Sequence, residues 1–301
     1  MQYKIIRNVA ELDEYAEQYD SFLENYLPDE LVYYQRGHLS AVSPWLSTLV
    51  EICVVLVLDH DKIVCVAPFQ VIRRHPLFLK NRRLQFLGTK SHLLCASYGG
   101  IVIDPAENLK QSIVESLREA IQDKLFVNWD EYYFENAYAG SNIHIWESAI
   151  GTSAKLIENI PVCHRTDISI SIDDFIKNTL KRKVRGEIKR ANKALNSELP
   201  DNYFKIVTEM NDELFEKIAN VHSARQKSKR SVGDLERKSL FDSPEEVQAC
   251  KDLFRWASAE KRLRCYYLGN EDDIIAFKLC INQNSLTHVL IIGFNPCLLY
   301  T

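Results

Sequence analysis

Residues 52–72 hold two β-branched apolar runs, Ile52 to Leu58 and Ile63 to Ile72, separated only by Asp59-His60-Asp61-Lys62. Strand-length runs joined by so short a polar turn predict an antiparallel hairpin. A later stretch repeats the pattern. Val57-Leu58-Asp59-His60-Asp61-Lys62-Ile63-Val64-Cys65-Val66-Ala67 parallels Tyr267-Leu268-Gly269-Asn270-Glu271-Asp272-Asp273-Ile274-Ile275-Ala276 with one gap. Each is an apolar strand, an acidic turn and an apolar strand ending in Ala, and each follows a helical block. At 301 residues the chain exceeds what one hydrophobic core usually serves. The reading is an α/β (α+β) chain of two tandem domains, 1–155 and 156–301, joined near Gly151 to Val162.

Around the first hairpin the pattern predicts a strand over Tyr3 to Ile6, a helix over 10–19, and a polar, aromatic-rich stretch to Trp45. Further strands follow at Leu84 to Leu87, Gly100 to Ile103 and Tyr132 to Phe134, the last one buried. Leu109, Ile113, Leu117 and Ala120 form the stripe of a helix opened by Asp104-Pro105. Pro68 predicts an edge position or a bulge. In the second half Ser171 and Asp174 resemble a capping box, a helix runs from about Asp212 to Lys227, and Ser243-Pro244-Glu245-Glu246 starts another. Strands return at Cys265 to Leu268, Ile274 to Ile281 and Thr287 to Phe294.

A net charge of −4 argues against a chain-wide basic field, so an anion site would be local. No run reaches the length of a membrane span and the first residues do not form a signal peptide, so a cytoplasmic protein with no membrane partner is expected. The eight cysteines are scattered without CxxC or CxxH spacing, which predicts buried thiols and no metal site. Adjacent Cys163 and His164 would point to opposite faces of a strand.

The strongest charge feature is a helix whose stripe of Leu180, Val184, Ile188, Ala191 and Leu195 is surrounded by Lys181, Arg182, Lys183, Arg185, Lys189, Arg190 and Lys193, with Glu187 as the one acid. A solvated outer face is one reading. An anionic ligand is the other, since like charges at i, i+4 such as Arg185 and Lys189 oppose the helix. Gly186 hints at a close backbone approach. His222 and Arg225 stand three apart on a helix with Leu214, Ile218 and Val221: either they border the core or they face a cleft, with His222 as a general base. Tyr98 before Gly99-Gly100 is a substrate contact or part of a tight turn, and 228–237 reads as a lid or a linker.

Taken in order, Ala67-Pro68-Phe69, Leu84-Gln85-Phe86-Leu87-Gly88, Tyr98-Gly99-Gly100, the basic helix, Val221-His222 with Arg225, Ile275-Ala276-Phe277 and Ile292-Gly293-Phe294-Asn295-Pro296 resemble the GNAT-type acyltransferases of the CelD-like, cellulose-biosynthesis-associated group. That group is related to the tandem-domain Fem aminoacyltransferases. The resemblance implies two tandem GNAT-like domains, each a mixed, largely antiparallel sheet flanked by helices. It also implies acetyl-CoA or another acyl-CoA as co-substrate, with strand 287–294 lining it, and an amine or hydroxyl acceptor on a small metabolite, a saccharide or an amino-acid derivative. On this reading His222 is catalytic, and Tyr98, Lys183, Arg185, Arg190 and Arg225 bind substrate or anion. There are two departures. Ser97 stands where the group often has an acid, and the loop and helix that hold the coenzyme A pyrophosphate in this fold are not found before Thr301, which leads to the expectation of a truncated second domain. The rival expectation is a non-catalytic or degenerate GNAT fold that binds a polyanion such as RNA through residues 181–193.

Overall fold

The computed structural model describes residues 1–74, 81–88, 99–134, 137, 140–152, 171–198, 201, 203–231, 239–270, 272–284 and 286–295. The first half runs β1 (Gln2–Ile6), a 3-10 segment (Val9–Tyr15), α1 (Ala16–Tyr26), a second 3-10 segment (Asp29–Tyr34), α2 (Arg36–Leu49), β2 (Glu51–Asp59), β3 (Lys62–Arg74), β4 (Asn81–Phe86), β5 (Val102–Ile103), α3 (Glu107–Gln122), β6 (Glu131–Tyr132) and α4 (Ile143–Ile150). The second runs α5 (Ile172–Asp174), a π-helical turn (Phe175–Thr179), α6 (Arg182–Glu198), β7 (Tyr203–Val207), α7 (Asp212–Ser231), α8 (Pro244–Ala259), β8 (Leu263–Gly269), β9 (Ile274–Gln283) and β10 (Leu286–Phe294).

Two sheets result, ordered β1-β2-β3-β4-β6 with β5 on β3, and β10-β9-β8-β7. They share one path. An opening strand, β1 or β7, is followed by helices and then by a three-strand antiparallel meander whose first strand pairs back with the opening one. The expected largely antiparallel sheets flanked by helices are thus present in both halves; the first is mixed, through the parallel β4–β6 pair, whereas the second is antiparallel in all its described pairings. In the first hairpin His60 and Asp61 both take left-handed φ values, 46° and 65°, as a two-residue turn between twisted strands requires.

Pro68 is in neither an edge strand nor a bulge. It lies in central β3, opposite Val54 of β2. On its other flank β5 pairs with Cys65 and Val66 while β4 takes over only from Phe69, and the Pro68 carbonyl accepts from the Leu87 N–H at 2.9 Å. Because N–H and C=O of one strand residue point to the same side, the donor that proline lacks would have faced this gap between two partners.

The first sheet is covered on both faces. Val54, Leu56 and Leu58 of β2 enter one apolar cluster with α1, α2, α7 and α8, whereas Cys53, Val55 and Val57 enter a second one with α3 and α4. That double burial explains the unbroken apolar runs of β2 and β3. In β8 only alternate residues are buried, because one face of the second sheet meets the core and the other leaves Phe204, Ile206, Val289 and Ile292 exposed.

Several elements differ from expectation. The stretch before Trp45 contains α2, a full helix that passes through Pro44; Ser40, left without the Pro44 N–H, accepts a 3.4 Å bond from Ser43 Oγ. Only the serine half of the Ser171–Asp174 box forms: the Asp174 N–H donates to Ser171 Oγ at 3.1 Å, while the Asp174 carboxylate accepts from the Ser171 hydroxyl at 2.7 Å; the helix this opens breaks before Leu180, and α6 starts separately. β6 is half-buried and parallel to β4. Gly99 and Gly100 do not adopt left-handed backbone; they are small because a Cβ at Gly99 would come within 2.5 Å of the Phe86 ring and one at Gly100 within 3.0 Å of Ser141. Gly186 has open space around it, so no backbone approaches there. Gly186→Ala is therefore expected to strengthen α6 by about 1 kcal/mol, read as roughly five-fold slower amide exchange within the helix.

Ser97, Tyr98, most of the joint between the halves, Cys163-His164, most of the 228–237 loop and Leu298 to Thr301 lie outside the described residues. The described free cysteines, Cys53, Cys65, Cys250, Cys265 and Cys280, are all buried. Burial pushes the thiols of Cys53 and Cys280 up to about 11 and that of Cys265 to about 12, which leaves them protonated at neutral pH. No group of three or more potential metal-ligating side chains occurs among the described residues, and no helix there is long and apolar enough to cross a membrane.

Candidate acyl-transfer site

β10 is an edge strand of the second sheet, and its register on β9 slips between Val289 and Ile291, so Leu290 is an inserted residue. A bulge of this kind withdraws the extra residue from the ladder and re-aims the local backbone. Gly293 follows, and its missing Cβ, which would sit 2.2 Å from the Phe277 ring, lets that ring pack beneath the strand.

α7 crosses the end of this strand. Its Arg225 donates from Nη1 to the Ile292 carbonyl at 2.7 Å, and its guanidinium lies 4.6 Å from the centre of the Phe294 ring. A cation is thereby fixed at the C-terminal end of β10, beside the bulge. The apolar residues of α7, among them Phe215, Ile218 and Val221, turn the helix so that Arg225 reaches the strand.

His222 sits one turn earlier and is only 5% exposed. Its Nδ1 lies 2.9 Å from Ser239 Oγ and its Nε2 3.1 Å from Gln226 Nε2, with Phe241 edge-on to the ring. With the amide donating to Nε2, the ring proton sits on Nδ1 and is donated to Ser239. Ser239 Oγ also meets Ser223 Oγ at 3.0 Å and accepts from the Phe241 N–H. This buried polar cluster, in which Gln226 Oε1 alone finds no partner among the described residues, ties α7 to the segment before α8.

Residues 182–298 match the family model described as an acetyltransferase (GNAT) domain. The second half of the chain carries a GNAT-type acetyltransferase domain. The match takes in α6, α7, α8 and the whole β7–β10 sheet, so the bulged strand and Arg225 belong to the GNAT domain itself. No curated protein matches the chain. Among solved structures, a conserved protein of unknown function from Bacteroides thetaiotaomicron aligns over 98% of this chain and 80% of its own length, at 11% identity and a TM-score of 0.47.

Of the residues singled out in the sequence, the structure brings Arg225 and strand 287–294 together. Lys183, Arg185 and Arg190 lie on α6, where Arg185 donates to the Lys177 carbonyl; among the described residues no hydrogen bond or ion pair links any of them to β10 or α7 of the GNAT domain. Tyr98 is outside the described residues. Sequence reasoning missed Leu290, because a bulge is a relation between two strands. It also missed Ser239 and Gln226, which only the fold sets around His222.

The two halves meet beside the GNAT sheet. His288 of β10, Tyr33, His38 of α2 and Trp256 of α8 form an edge-to-face series with ring centres 5.5, 5.4 and 5.5 Å apart. Gln283 Oε1 accepts from Gln35 Nε2 at 2.9 Å and from Arg262. A polar cleft of about 420 Å³ opens there, between α1, α2 and the end of α8. It lies by the β9–β10 turn, at the opposite end of β10 from Arg225.

Proposed function

We propose that this chain is an acyltransferase in which β10 lines acetyl-CoA or another acyl-CoA, and that it passes the acyl group to an amine or hydroxyl of a small metabolite, a saccharide or an amino-acid derivative.

 The observation that carries this reading is the bulged edge strand with Arg225 fixed at its end. A backbone N–H released from the ladder at Leu290 can donate to a thioester carbonyl laid along the strand, and it stabilises the oxyanion that forms when the acceptor attacks. The new C–N or C–O bond forms as the C–S bond breaks. The thiolate leaves on coenzyme A and the acceptor's proton passes to a base or to water, so no covalent enzyme intermediate is needed. Arg225 supplies positive charge near the anionic co-substrate. His222, with both ring nitrogens engaged, is assigned a positioning role: its bond to Ser239 holds α7 so that Arg225 reaches β10.

The test is a thermal-unfolding titration with acetyl-CoA, with desulfo-CoA and ATP as controls. Ligand at 100 times its dissociation constant stabilises the folded state by about 2.7 kcal/mol, on the order of 5–10 °C for a chain of this size. A saturable shift with acetyl-CoA that ATP does not reproduce is the expected result. A chain whose melting is unmoved by acetyl-CoA would not be using β10 in this way.

A further inference from the structure

α6 is a basic amphipathic helix that, among the described residues, packs on neither apolar cluster: no residue of 182–198 belongs to either one or packs against it. Val184 of its stripe is 38% exposed, and Ile188 and Leu195 are partly exposed. Residues 181–193 hold seven of the chain's 37 Lys and Arg and one of its 41 Asp and Glu, so this segment carries +6 and the rest of the chain −10. Among the described residues none of these cations forms an ion pair.

Three occupants fit an exposed basic helix of this kind, without a packing partner among the described residues: a second copy, a nucleic acid or an anionic lipid surface. A second α6 would bring seven cations against seven. A nucleic acid would use the cations but not the apolar stripe, and α6 offers no aromatic side chain on which a base could stack. We propose that α6 docks the protein on an anionic membrane surface, with Val184, Ile188 and Leu195 entering the headgroup boundary and the flanking Lys and Arg meeting lipid phosphates. The net negative charge of the remaining chain turns the rest of the molecule away from the same surface, so docking is oriented. Surface docking needs no spanning run, and the expectation of no membrane partner rested on the lack of one.

The experiment is co-sedimentation of the full chain with phosphatidylglycerol-containing vesicles and with pure phosphatidylcholine vesicles, at low and high salt. Two variants are included, Val184→Ser with Ile188→Ser and Arg182→Gln with Lys189→Gln, and binding to a single-stranded RNA is measured in parallel. The expected result is binding to the anionic vesicles alone, weakened by salt and reduced about ten-fold or more by either variant, with melting temperatures unchanged. Equal binding to both vesicle types, or to neither, overturns the proposal. So does RNA binding that persists in the serine variant while vesicle binding is absent. A fall in the melting temperature of the serine variant also overturns it, because the stripe would then be packed against the protein.

Discussion

Acidification from pH 7 to pH 4 is expected to remove about 3 kcal/mol of stability through His38 alone. The ring is fully buried between Tyr33 and Trp256, and neither of its nitrogens has a hydrogen-bond partner. Burial, with the charge of His288 second, pushes the His38 imidazole down to about 3 from its ordinary 6.5. The folded state therefore binds the proton less readily than the unfolded state. The stability is fully present above pH 6.5 and falls as the pH drops toward 3, by about 1.4 kcal/mol for each pH unit in that window. Carboxylates titrate in part of the same range, so the measurement is a comparison: urea unfolding of the native chain and of His38→Phe from pH 7 to pH 4. The phenyl ring keeps the edge-on contacts and removes two unpaired nitrogens, which costs nothing at pH 7 or gains about 1–2 kcal/mol there. The gap between the two chains should widen by about 3 kcal/mol at pH 4. Parallel pH profiles would show that His38 is not buried in the neutral form.

At the crossing of α2 and α8, Gly37→Ala is expected to cost about 2 kcal/mol, although alanine is the better helix former. A Cβ there would lie 2.0 Å from Trp256 Nε1 and 2.3 Å from Cδ1. The indole is a rigid plane that also meets the His38 ring edge-on, so the clash has to be relieved by moving one helix. Trp256→Ala, for its part, opens a cavity at the join of the halves and costs about 3 kcal/mol, the low end for a Trp truncation because the ring is partly exposed. In that background Gly37→Ala should be close to neutral. A double-mutant cycle followed by urea unfolding should thus return a coupling of about 2 kcal/mol. Additive effects would mean that the two helices do not meet at this pair.

The hairpins were legible because a strand buried on one or both faces has to show it in its own residues. β2 and β3 read as unbroken apolar runs, β8 as alternation, and Ser243-Pro244 as a helix start, each from a signal confined to one element. α2 was not legible: Gly37 and Pro44 are helix breakers taken alone, and they are tolerated because Trp256 needs the space and Ser43 serves the vacated carbonyl. Of the candidate site, the strand and the arginine could be read from sequence, but the bulge at Leu290 exists only in the register of β10 against β9.

His222 shows the same division from the other side. A histidine three residues before an arginine on an amphipathic helix reads as a potential base, and only the fold decides that Ser239 and Gln226 occupy its two nitrogens. The sequence by itself determined the elements whose burial is written in local periodicity, the repeated hairpin and the charge of α6. The tertiary structure alone decided which side chains meet across long separations, such as His38 with His288 around Tyr33, since contact over 250 residues leaves no trace in the spacing of either segment.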